Sequence, residues 1–196
     1  MAKIIDYTIV ISRSAGATEK RAAALLREKI KVICGKKLPL VTDDAHPVPL
    51  EIVVGKTNRE ELDGLDFQRA AQRFFEFMLQ MQDKRLYIVG LGVDPGPLPY
   101  TSPYVVYNDG QISTAYGVYW FIEKILGCNM MFAANADFTE KPDLEIPEGF
   151  RFYHTTEALQ KQLPERIKQT SINAARRLIV FPISPSLSQR ICVAWV

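Results

Sequence analysis

The run Gly55-Lys56-Thr57-Asn58-Arg59 follows an apolar stretch and opens a helical one. At such a junction, backbone N–H groups and the helix dipole can hold an anion. A carboxylate would suit it, with Lys56, Thr57, Asn58 and Arg59 as candidate ligand-binding residues. The run lacks the Gly-x-x-x-x-Gly-Lys-Ser/Thr spacing that cradles nucleotide phosphates. Thr57 and Glu60 also fit a capping box, so the same residues can serve only to start a helix.

Tyr100, Tyr104 and Tyr107 are a second candidate set. They lie between Gly92 and Gly110, a stretch with four prolines and three glycines. Long irregular loops in compact domains often carry function. These rings can meet a ligand or anchor the loop, and the sequence supports both equally. Tyr116, Tyr119 and Trp120 could also stack on sugars. Their helical spacing beside Val118 and Phe121 makes core the better reading.

Hydrolysis of a glycosidic bond generally needs two carboxylates held about 5–9.5 Å apart. The pairs Asp43/Asp44, Glu60/Glu61 and Asp63/Asp66 lie on polar segments and read as solvated surface. Glu123 interrupts an apolar helix, where pairing with Lys124 or a neighbouring strand would explain it. Only His46 and His154 are present, which disfavours a histidine metal site. Cys34, Cys128 and Cys192 are odd in number and widely spaced, so neither a disulfide framework nor a zinc site follows. Cys34 and Cys128 read as buried thiols. No catalytic residue, metal or cofactor is assigned.

These residues need elements to position them. Asp6 to Ser12 alternates as a strand. Thr18 can cap a helix to Cys34, with Ala23, Leu26, Ile30 and Ile33 on one face and Gly35 as its stop. Leu38 to Thr42 is short and extended. Leu50 to Gly55 is nearly all apolar, which predicts a strand covered on both faces. A short helix follows Arg59, breaks at Gly64, and can resume over Phe67 to Arg73. Residues 74–90 fit a hairpin turning at Gln82-Asp83-Lys84, although a helix over 67–82 fits the pattern too. Ser113 or Thr114 then starts an apolar helix to Leu126, stopped by Gly127. Gly117 inside it costs about 1 kcal/mol relative to Ala, so close packing on a strand is expected there. Asn129 to Phe132, Asp143 to Pro147 and Phe150 to Tyr153 are further extended pieces.

The 196 residues are 47% hydrophobic and 23% charged, which is ordinary for a globular chain. Net charge is +2. Residues 1–154 lack the basic excess that nucleic-acid binding needs. No apolar run reaches the length of a membrane span. The N-terminus meets charge too early for a secretory signal, so a cytoplasmic location follows if that end is native. From about Thr155 the sequence turns polar and irregular, which divides the chain into a domain over 1–154 and an atypical tail over 155–196.

Several segments resemble one family in order. They are AAALLREKIKVICGKKLPLVTDD (22–44), EIVVGKTNRE (51–60), DKRLYIVG (83–90), STAYGVYWFIEKILGCNMMF (113–132) and DLEIPEGF (143–150). Together they resemble the N-terminal domain of family 67 α-glucuronidases and related bacterial glycoside-hydrolase-like proteins. The resemblance spans roughly residues 5–153. It implies an α/β fold, a mixed sheet with helices packed on it, of the β-N-acetylhexosaminidase/α-glucuronidase N-terminal type. It implies a place before a catalytic (β/α)₈ barrel in an enzyme acting on glucuronate-substituted xylan or a similar glycan. A barrel takes about 250 residues, and the tail has no such pattern, so the family's catalytic carboxylates transfer to no position here. The expectation is a non-catalytic accessory domain without its barrel. The alternative is an autonomous carbohydrate- or anion-binding module. A glycan or uronic acid is the expected ligand, and self-association through the barrel-facing surface is expected.

Overall fold

The computed structural model describes residues 2–70, 73, 76–92, 112–128 and 139–155. Six strands form one mixed sheet, in the order β2-β1-β3-β5-β4-β6. These are β1 (Thr8–Ile11), β2 (Leu40–Thr42), β3 (Glu51–Val54), β4 (Phe77–Gln82), β5 (Arg85–Gly90) and β6 (Arg151–His154). β2, β1, β3 and β5 are mutually parallel, with Ile9 opposite Leu40 and Ile52, and Ile52 opposite Leu86. β4 runs antiparallel to both β5 and β6. Among the described residues, the α-helices beside the sheet are α1 (Ala17–Cys34), α2 (Arg59–Leu62) and α3 (Ile112–Lys124).

The expected α/β fold with a mixed sheet is therefore what the chain adopts. β3 is buried along its whole length, as its apolar run requires when helices or loops cover both faces. On one face, Ile9, Ile11, Ile52, Val54, Leu79 and Ile88 pack against α1 and α3. α1 contributes Ala23, Leu26, Ile30 and Ile33, fully or almost fully buried. Each of the larger ones adds about 1.5–3 kcal/mol of burial. On the other face, Val53, Met78, Tyr87 and Val89 meet Phe67, Leu65 and Leu91.

Gly117 sits where α3 crosses the sheet. A Cβ there would lie 3.1 Å from Ile88 and 3.3 Å from Phe77, so the expected close packing is present. Trp120 stacks on Phe152 of β6 with centroids 3.8 Å apart. Cys34 and Cys128 are buried free thiols, and burial pushes the Cys34 thiol up. Cys192 lies outside the described residues. No helix among the described residues is long and apolar enough to cross a membrane.

Local expectations changed at several points. α1 starts at Ala17 with Gly16 as its N-cap, not at Thr18, because the Gly16 carbonyl already accepts the Lys20 N–H. Residues 4–6 form a 3₁₀ turn, so β1 begins only at Thr8. Residues 77–90 are the hairpin, with Gln82 opposite Arg85, which removes the helical alternative there. Residues 65–70 are irregular instead of a resumed helix. Arg69 is held by Glu60 and the Gly90 carbonyl, and Phe67 packs on Tyr87, so tertiary contacts override local propensity. Of 143–147, Glu145 makes a single bridge to Lys3. The 129–132 segment lies outside the described residues.

Candidate functional site

In open α/β sheets, ligands bind beyond the carboxyl ends of the strands, where successive connections diverge. Here that point lies between β1 and β3, because β2 flanks β1 on one side and β3 on the other. The Gly55–Arg59 turn leaves β3 at this end. Gly55 has φ 78, and a Cβ there would fall 2.0 Å from the Glu19 carboxylate. Only glycine relieves both constraints.

The turn already holds an anion, and it is the chain's own. The Asp43 carboxylate accepts the Asn58 N–H at 3.2 Å and the Arg13 N–H at 2.8 Å. The Asn58 side-chain amide donates to the Asp43 carbonyl at 2.8 Å. The Thr57 hydroxyl accepts the Arg59 N–H at 3.2 Å. Lys56 is exposed to solvent.

Arg59 does not face solvent at all. It is 1% exposed and lies along the second face of the sheet toward Glu51, also 1% exposed. Its Nε donates to the Glu51 carboxylate at 3.1 Å, and its terminal nitrogens donate to the carbonyls of Asp43 and Ala45 and to the Asn58 side chain. Glu51 also accepts Arg85 Nε at 2.8 Å and the Val48 N–H at 3.0 Å. Arg85 continues to Asp63, to which the Tyr87 hydroxyl donates at 2.7 Å. Burial, reinforced by Asp63, pushes the Tyr87 phenol strongly up. The two arginines and two carboxylates balance in charge. Such closed, satisfied networks fix a conformation and leave little for a ligand.

Glu60 was expected to complete a capping box. Its carboxylate instead takes a bidentate pair from Arg69 at 2.7 Å on each arm. A charge-assisted fork outweighs a single bond back to a backbone N–H.

Glu19, in the first turn of α1, is the other buried carboxylate at this end. The Thr114 hydroxyl donates to it at 3.2 Å and accepts the Gly90 N–H at 3.1 Å. Glu19 thus ties α1, α3 and the ends of β3 and β5 together. Its position in the helix-start composition gave no sign of this, since Thr114 is 95 residues away.

Lys56, Thr57, Asn58 and Arg59 are therefore brought together, but Thr57, Asn58 and Arg59 are engaged internally. Tyr100, Tyr104 and Tyr107 lie outside the described residues. Glu123 forms no ion pair among the described residues, although Lys124 is adjacent. Tyr116, Tyr119 and Trp120 pack partly buried against the core. Among the described residues, no cluster of His, Cys, Asp and Glu has the arrangement of a metal site.

No family model matches the chain. No curated protein matches it. Among solved structures, the chain is similar to a family GH115 4-O-methyl-α-glucuronidase with specificity for decorated arabinogalactans. The TM-score is 0.51 at 18% identity, over 76% of this chain and 17% of that one. The chain thus spans a small part of that enzyme's length. At this identity the likeness is one of fold. It does not single out family 67.

Proposed function

We propose that this chain is a non-catalytic accessory domain of an α-glucuronidase-like glycoside hydrolase that degrades xylan-type or related glycans. The observation that carries the proposal is the fold shared with part of a GH115 α-glucuronidase. The disposition of charge supports it. The buried carboxylates Glu51, Glu60 and Glu19 each accept bonds from arginine or threonine. In an intact enzyme the domain would border the barrel that supplies the chemistry. The family 67 motifs in the sequence extend this reading to glucuronate-substituted xylan.

The autonomous binding module is the weaker reading. Asp43 already fills the anion position beside Asn58, and Arg59 is enclosed. A direct assay separates the two. The isolated chain should release no glucuronic acid from aldouronic acids, while native material captured by an antibody to it should carry α-glucuronidase activity. Release by the isolated chain, or captured material without that activity, would refute the accessory role.

A further inference from the structure

α1 turns a face of one charge to solvent. The helix and the three residues after it carry seven lysines and arginines against two acids. Glu19 is buried, so Glu28 is the acid on the outer side, and Lys37 pairs with it at 3.0 Å. Arg27 lies 3.9 Å from Glu28, and its enclosed Nε has no acceptor. Lys20, Lys29, Lys31 and Lys36 form no ion pair among the described residues. The network around Glu51 and Arg59 is as dense in charge but balanced. What sets α1 apart is its single sign.

Lys20, Arg27 and Lys31 fall at steps of seven and four residues, along one flank of the helix. The rise of about 1.5 Å per residue sets them roughly 10 and 6 Å apart, about 16 Å from end to end. Helix stability does not account for this stripe. A cation near the C-terminus complements the helix dipole, which explains Lys31, Lys36 and Lys37. Lys20 stands in the first turn, where the same dipole opposes it. Arg27 and Lys31 are like charges one turn apart, which also costs stability. Both arrangements become favourable when an anion covers them. Val32, 45% exposed, and half-buried Leu25 lie on the same outer side.

We infer that the outer face of α1 holds an acidic polysaccharide, through carboxylates carried along one chain. An exposed lysine–carboxylate pair gains little by itself, so a free uronic acid is not retained. A polymer that meets several cations at once is retained. The wide spacing of the stripe suits sparse charge. Duplex nucleic acid carries one charge about every 1.7 Å, far denser than these side chains can match. A helix that lies in a membrane surface needs its apolar side for the lipid, and α1 has buried Ala23, Leu26, Ile30 and Ile33 in the core. The choice of a uronate-bearing glycan rests on the accessory role proposed above. In that role the helix would keep the polymer close to the barrel.

The test is fluorescence anisotropy of reducing-end-labelled glucuronoxylan, titrated with the full chain at low salt. The polymer should bind, and binding should vanish in about 1 M NaCl, where the screening length is about 3 Å. The same polymer with its carboxyls reduced to alcohols should not bind. Lys20→Gln combined with Lys31→Gln should weaken binding about fivefold, the worth of two exposed pairs. Both side chains are exposed and glutamine keeps the helix propensity, so the fold is not at risk. Lys84→Gln, on the β4–β5 hairpin, should leave the affinity unchanged. No binding of the native polymer, equal binding of the reduced one, or unchanged affinity in the double variant would overturn the inference. So would an equal loss in Lys84→Gln, or tighter binding of duplex DNA or phosphatidylserine vesicles at equal charge. The readout is binding by this chain alone, so its failure leaves the captured α-glucuronidase activity, and the accessory role, standing.

Discussion

The two charged regions of this domain have opposite logic. On the second face of the sheet, Glu51, Arg59, Arg85 and Asp63 are enclosed, balanced and bonded to one another. At the start of the strands, Tyr7 is just as enclosed, but its hydroxyl meets a depression rimmed by exposed Asp83, Lys84 and Glu148. The first region looks more like chemistry in a list of residues. The second keeps its charged groups open to solvent. Density of charge is thus a poor guide to a site.

Removing one side of the enclosed network should have the largest effect. Glu51→Ala leaves Arg59 buried without its carboxylate, and should cost about 3–5 kcal/mol in urea unfolding. Replacing Glu51 and Arg59 together by leucine and methionine should recover most of that loss, because apolar pairs substitute well for buried ion pairs. A double variant as unstable as the single one would show that the network does more than hold the fold.

Gly55→Ala comes next. The new methyl would need φ 78 and would meet Glu19 at 2.0 Å, so a loss of about 1–3 kcal/mol is expected from the backbone alone, before the clash. An unchanged melting temperature would mean that the β3–α2 turn is free to rearrange, and would reopen it as a binding loop.

The pH response should be smaller. Burial lowers the His154 pKa below its ordinary 6.5, with nearby Glu76 opposing, and the ring stacks on Phe77 at 4.9 Å. The unfolded chain then binds the proton more readily than the folded one. Stability from this group is full above 6.5 and declines as pH falls from there through the folded pKa. His154→Phe keeps the stack and should flatten that part of the pH–stability curve. A curve identical to the unmodified chain's would remove His154 as its cause.

Tyr7→Phe should have the smallest effect on stability, within about 0.5 kcal/mol, since its hydroxyl has no partner to lose. The contrast with Glu51→Ala is the sharpest form of the comparison. A loss above about 2 kcal/mol by calorimetry, twice the worth of a neutral hydrogen bond, would place that hydroxyl inside the fold's own bonding.

Much of the architecture was legible because its signals are local. The all-apolar β3, the 3–4 spacing of Leu26, Ile30 and Ile33, and the left-handed glycines Gly35 and Gly127 each act over a few residues. The alternation around Phe77, Leu79 and Met81 likewise marked β4. The helix expected over 67–73 was not realised in residues 67–70, where Arg69 reaches Glu60 and Phe67 reaches Tyr87. The turn at Lys56–Arg59 was located correctly as a junction. Its side chains were engaged by Asp43 and Glu51, partners that motif spacing does not specify.

The sequence by itself determined the elements, the buried faces and the α/β class, because hydrophobic period and turn residues act on neighbouring positions. Tertiary structure alone decided which polar groups are satisfied. Glu51 meets Arg85 across 34 residues, and Glu19 meets Thr114 across 95. Tyr7 is brought beside Asp83 and Glu148 at a common opening. Hydrogen bonds and ion pairs depend on atoms within a few ångströms, and only the folded chain sets those distances.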